Sequence, residues 1–195
     1  MMPRRYAGKV KVKQDGGRLK QDAPASDARL KRLAETIETL AAKDEIAIRR
    51  AREIAALRAR AAADLFRLCA AFVGDLNRLL SSPAVTLDPP SFPESAFQDS
   101  APNLLQINVR GRLLQIEFEA TPELVSTEDF RIPYTLKGAV RAFNQALLDK
   151  DLIEEQLLFF TLERRQSMWR FFDARTYRSG EFDRDYLIGL LEQLL

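Results

Sequence analysis

The run from Asp27 to Leu80 constrains this chain more than any other stretch. It holds no proline, and its only glycine is Gly74. Ala, Leu, Glu, Arg and Lys dominate it, and these residues lose little side-chain freedom on entering a helix. The run predicts one continuous helix, roughly 80 Å long at ~1.5 Å per residue. A rod of that length outreaches what the rest of a 195-residue chain can cover, so it needs a partner. Ser26 or Asp27 is the expected N-cap, because a short side-chain oxygen can accept from the free amides of the first turn.

Two spacings lie along the rod. Leu30, Leu33, Ile37, Leu40, Asp44, Ala47, Ala51 and Ile54 alternate steps of three and four, as in a left-handed coiled coil. This face is the expected oligomer or partner surface, with Leu30, Leu33, Ile37, Leu40, Ala47, Ala51 and Ile54 as contacts. Its centre is thin, because Asp44, Ala47 and Ala51 stand where large apolar knobs would. From Ile54 onward the steps become those of an eleven-residue repeat: Leu57, Ala61, Leu65, Leu68, Phe72, Leu76 and Leu79. The larger anchors predict that Leu65 to Leu80 packs on the C-terminal part of the chain, while the first half meets another chain. Arg49, Arg52, Arg60 and Arg67 fall together on the other side of the rod.

Charge is uneven. Residues 1–20 hold seven bases (Arg4, Arg5, Lys9, Lys11, Lys13, Arg18 and Lys20) against one acid, Asp15, a net of +6, while the whole chain carries only +2. Residues 1–26 read as a flexible basic arm, broken by Gly16-Gly17 and by Asp22 to Ser26. The arm and the arginine stripe would offer phosphate contacts to a nucleic acid, reading charge and not base sequence. The plainer reading of both is a solvated, solubilising surface.

Five of the nine prolines fall in 81–103: Pro83, Pro89, Pro90, Pro93 and Pro102. That segment reads as a linker laid over the surface, pinned by Phe92 and Phe97. An α+β module then occupies 104–195. Leu105, Ile107 and Val109, then Leu114, Ile116 and Phe118, alternate with polar residues on either side of Gly111, which predicts a hairpin with one apolar face. A third short strand is expected at Phe130, Ile132 and Tyr134. A helix is expected from Thr135 to about Leu148, with Leu136, Val140, Phe143 and Leu147 inward. Strands about Glu155–Arg164 and Ser167–Asp173 follow, then a loop Ala174–Phe182 and a helix Asp183–Leu195. The fold class is α+β: a long N-terminal helix, coiled-coil-like, before a small antiparallel sheet module of order ββ-β-α-β-β-α.

Chemistry is sparse. The chain has no histidine and one cysteine, Cys69, which excludes Ser-His, Cys-His and histidine- or cysteine-based zinc sites within it. Cys69 lies among Leu68, Ala70 and Phe72, as a buried structural thiol would. Asp173, Glu181, Asp183 and Asp185 gather near one loop without calcium-loop spacing, and read as caps and surface charge. Glu117 and Glu119 read as the wet face of the hairpin. Arg164-Arg165 is an exposed basic spot at a hairpin tip. No glycine-rich phosphate loop is present. No catalytic, cofactor-binding or metal-binding residue is expected, and no small-molecule substrate. The start lacks the apolar core of a signal peptide, and no run of ~18 apolar residues could cross a membrane. A cytoplasmic, non-enzymatic interaction or scaffold subunit is therefore expected. Its partner would be itself, as a dimer, or another helical subunit, with a further partner docked on the module. The alternative is an accessory nucleic-acid-binding protein.

Overall fold

A computed structural model describes residues 23–143, 154–163 and 166–195. The basic arm, the segment 144–153 and Arg164-Arg165 lie outside the described residues, apart from 23–26 at the arm's end. The chain divides into two compact units, Met1–Ile48 and Arg49–Leu195.

What is described of the first unit is helix, the opening stretch of α1 (Ala23–Leu79). The helix begins at Ala23, ahead of the expected cap at Ser26 or Asp27. Pro24 stands in the first turn, where its missing amide would have had no helical partner. Every side chain from Ser26 to Ile48 is exposed. The hydroxyls of Thr36 and Thr39 donate to the carbonyls of Arg32 and Glu35, four residues back.

The second unit contains α1 from Arg49, seven strands, and helix α2 (Arg184–Leu194). The strands are β1 (Val85–Asp88), β2 (Asn103–Val109), β3 (Arg112–Val125), β4 (Tyr134–Phe143), β5 (Glu154–Leu162), β6 (Ser167–Asp173) and β7 (Arg178–Glu181). They lie side by side in chain order, each antiparallel to the next. The α+β class holds, but the expected order ββ-β-α-β-β-α does not.

Four differences account for this. The helix expected over Thr135–Leu148 is β4 as far as Phe143, paired with β3 and β5. The spacing of Leu136 and Val140 suits a helical face, yet it also suits one face of a strand. The third strand expected at Phe130, Ile132 and Tyr134 is a loop up to Pro133, and β3 is instead long. The proline-rich segment 81–103 supplies β1 as an edge strand and a short 3₁₀ turn, Glu94–Ala96. The loop expected over Ala174–Phe182 contains β7.

Alternation along the strands sorts the side chains. Leu105 and Ile107 of β2, Leu114, Ile116 and Phe118 of β3, Leu136 and Val140 of β4, Leu158 and Phe160 of β5, and Trp169 of β6 form one buried layer. Against it pack Leu65, Cys69 and Phe72 of α1 and Leu187, Leu190, Leu191 and Leu194 of α2. Each large aliphatic or aromatic side chain so buried contributes about 1.5–3 kcal/mol. Ala61, Ala62 and Ala63 are all buried, so α1 is covered around more than one face there. The covered stretch stops short of the expected Leu80, since Leu79 and Leu80 are exposed. Phe92 pins the proline-rich segment as expected, its ring between those of Phe66 and Phe118.

Polar ties complete the packing. Trp169 Nε1 donates to the Ala61 carbonyl at 2.9 Å. Asn77 holds the turn out of α1: its Oδ1 accepts from the amides of Ala84 and Val85, and its Nδ2 donates to the Val85 carbonyl. Asp183 caps α2 by accepting from the Tyr186 amide at 2.9 Å. Between β2 and β3, Arg110 and Gly111 both have positive φ (51° and 90°), the turn that matches strand twist. Gly138 of β4 faces Phe118 of β3, and a Cβ there would collide with the Glu117 carbonyl oxygen. Only glycine fits so close a strand pair.

The buried cation Arg58 joins three segments. Its Nε donates to Thr135 Oγ1 at 2.7 Å, one Nη donates to Asp99 Oδ1 at 2.9 Å, and the other donates to the Thr121 carbonyl. Arg58→Met keeps the bulk and removes every donor, leaving buried acceptors unpaired. We expect it to destabilise the fold by about 3 kcal/mol or more in urea unfolding. A loss below about 1 kcal/mol would show that water replaces the guanidinium there.

Candidate partner-binding surfaces

The first surface is the α1 face in the first unit. Leu30, Leu33, Ile37 and Leu40 are 61%, 55%, 57% and 53% exposed. They occupy the successive seam positions of the heptad. Asp44 and Ala47 continue the face and are exposed too. In the second unit, Ala51 is exposed and Ile54 is the first half-buried seam residue. Burial of α1 thus sets in where the spacing changes from seven to eleven.

The second surface lies on the sheet face away from the helices. Residues of opposite parity to the core line it: Glu117 and Glu119 of β3, Lys137, Ala139 and Arg141 of β4, Leu157 and Phe159 of β5, and Phe172 of β6. Phe130, Tyr134, Phe159 and Phe172 form a second small core here, with the Phe130 and Phe159 rings stacked at 4.4 Å and the Tyr134 ring tilted against Phe159 at 4.5 Å. Beside this cluster opens a groove of about 490 Å³, with Gly138 and Ala139 among its lining. That volume lies in the range of sites that take a side chain or small ligand.

Ion pairs rim the groove. Arg141 bridges two carboxylates at 2.6 Å each, Nε to Glu155 and Nη1 to Glu117. Those hydrogen bonds, Glu155 first, hold the Arg141 guanidinium more firmly protonated than usual. Lys137 Nζ lies 3.1 Å from Glu119. Asp129 stands at the lip with no ion partner among the described residues. The arrangement suits holding an apolar group inside a charged rim.

Two members of the acidic cluster, Asp173 and Asp183, have separate structural tasks. Asp183 is the cap described above. Asp173 accepts from the Thr176 hydroxyl and the Arg175 amide, and these bonds, the hydroxyl first, hold its carboxyl below the usual range. Nearby, Tyr186 stacks on Phe171 at 4.0 Å and donates to Gln156 Oε1. Burial, with a smaller contribution from Asp173, pushes its phenol up. Among the described residues, no group of three Asp, Glu or Cys is placed to hold a metal ion. No described helix is long and apolar enough to cross a membrane.

Of the arginine stripe, Arg49 pairs with Glu53 and Arg67 with Asp64. Arg52 and Arg60 are exposed, and among the described residues no ion pair holds them. The remaining predicted phosphate contacts, Arg4, Arg5, Lys9, Lys11, Lys13, Arg18 and Lys20, lie outside the described residues. The two polar residues that matter most to the second unit, Arg58 and Asn77, were not singled out by pattern. Arg58 carries a signal nonetheless: it precedes Leu76 by five full turns, so it falls inside the apolar arc. No known protein family, curated protein sequence or solved structure matches this chain.

Cys69 is buried, and desolvation pushes its thiol up to about 12. Native protein should resist a thiol reagent that labels the unfolded chain at once. The native thiol stays neutral while the unfolded thiol ionises near its ordinary value of 9.0. This contribution to stability is therefore full below pH 9 and lost as pH rises toward 12. Compared with Cys69→Ala, wild type should lose up to about 1.4 kcal/mol more per pH unit there. Equal slopes in urea unfolding would contradict the burial.

Proposed function

We propose that this protein is a non-enzymatic assembly subunit. Its α1 face pairs with a second helix, most simply that of another copy, and its sheet groove receives an apolar segment of a further partner. One observation carries the reading: Leu30, Leu33, Ile37 and Leu40 stand 53–61% exposed at alternating steps of three and four. Single exposed leucines are ordinary on a surface, but a row in seam register is what a helix partner covers. The absence of histidine and the buried thiol add support. Light scattering after gel filtration tests it. Wild type at tens of micromolar should show twice the 22.2 kDa chain mass. Ile37→Asp, which sets a charge into the seam, should return it to one chain. A wild-type monomer at that concentration sinks self-association.

Arg52 and Arg60, exposed without ion pairs, keep a second reading open: an accessory binder of nucleic acid through the stripe and the basic arm. Affinity for a short duplex should then fall steeply with salt, and deleting residues 1–20 should weaken it. Unchanged affinity after the deletion removes the arm from the reading.

A further inference from the structure

We infer that the second copy lies antiparallel, with the two helices crossing level with Glu35. This rests on the self-association proposed above. In an antiparallel coiled coil an a position of one helix faces a d position of the other, and g flanks g. Leu30 and Ile37 are a positions, and Leu33 and Leu40 are d positions. Setting Leu33 against Ile37 of the other copy also sets Leu30 against Leu40. All four aliphatic residues of each helix then find an aliphatic partner, in a two-fold arrangement where each contact occurs twice. Nothing large is left over and nothing large meets a gap.

Asp44 decides between orientations. In a parallel, in-register pair, Asp44 faces its own copy inside the seam, and two desolvated carboxylates repel. In the antiparallel pair it faces Ser26, a small exposed hydroxyl. Ala34 then faces Ala34 across the two-fold axis, where small side chains let the helices approach. The antiparallel pair has one unfavourable feature. Arg29 and Lys43, both at g and both exposed, flank each other twice. Exposed like charges are weaker than buried ones, so the cost is smaller than that of a buried carboxylate pair. The seam spans little more than three turns, so its area falls below the about 1,200 Å² of a standard interface. The dimer is correspondingly weak and concentration-dependent.

The flanking pair gives the test. Dissociation constants are measured by sedimentation equilibrium for wild type, Arg29→Glu, Lys43→Glu, the double variant, and Lys31→Glu as a control off the seam. Each single change at g turns two repulsions into two attractions and should tighten the dimer about tenfold at low salt. The double variant restores like charges and should return to wild-type affinity. Lys31→Glu should match wild type. In a parallel pair, Arg29 and Lys43 face Ala34 and Ile48, which carry no charge. A wild-type dimer indifferent to Arg29→Glu and Lys43→Glu therefore overturns the antiparallel arrangement while leaving self-association standing. A wild type that is monomeric throughout overturns both.

Discussion

The second unit depends on how one cation is buried. Arg58 enters from α1 at a position that its neighbours Leu57 and Ala61 make apolar. Its planar fork reaches the Thr135 hydroxyl on β4, the Thr121 carbonyl on β3 and the Asp99 carboxylate on the proline-rich segment. A guanidinium in an apolar setting is costly unless its donors are met. Here they are met by three segments far apart in sequence, so the favourable state of the arginine requires all three to be in place together. The Thr121 hydroxyl adds a bond to the Thr135 carbonyl, which braces the same two strands. Lysine could not do this, because its point charge lacks the fork. The hydrophobic layer supplies most of the stability, and Arg58 ties α1 to β3, β4 and the proline-rich segment.

The two faces of the sheet then take different tasks. The helix side is filled by α1, α2 and the Phe92 strap, and Trp169 fixes the helix height by its bond to Ala61. The opposite side has aromatic bulk at one end only. On this face β4 presents Ala139, a small side chain, between Lys137 and Arg141. Gly138 belongs to the helix-facing parity of β4, with Leu136 and Val140, and the β3 backbone lies too close there for a Cβ. The ion pairs at the groove's rim come from cross-strand neighbours, as Glu117, Arg141 and Glu155 lie on β3, β4 and β5 in turn.

Much of this was legible in the sequence, and the failures have physical causes. The long helix, the β2–β3 hairpin, β6, the capped final helix and the burial of Cys69 follow from period, capping and composition. β4 was misread because Leu136, Val140 and Phe143 satisfy a helical spacing, while Leu136 and Val140 also satisfy a strand one. The two free edges of β3 and β5 decide for strand, and no local rule sees those edges. Gly138 was the available hint, since glycine weakens a helix interior yet permits close strands. β1 was missed because prolines on either side suggested a linker, although an edge strand four residues long needs none of the amides that proline removes. Arg58 was hidden because an arginine on a helix is ordinarily solvent-facing. Its angular position argued otherwise, but only a partner such as Thr135 turns that position into a site. The groove could not be read at all, because its lining comes together from β3, β4, β5, β6 and the loop before β4.

The change of spacing near Ile54 has a counterpart in burial, and that bears on what kind of assembly the proposed reading describes. Large aliphatics occupy the seam only from Leu30 to Leu40. After them come Asp44, Ala47 and Ala51, which have little apolar area to offer a second helix. A chain that needed a permanent coiled coil would carry knobs along the whole seam, since each additional layer adds burial and slows dissociation. This one concentrates them in about three turns and follows them with a carboxylate. On the proposed reading, such a seam would give an association strong enough to respond to local concentration and weak enough to exchange. Binding at the sheet groove would raise that local concentration when the partner is itself multivalent, so two modest contacts would act together without either becoming irreversible.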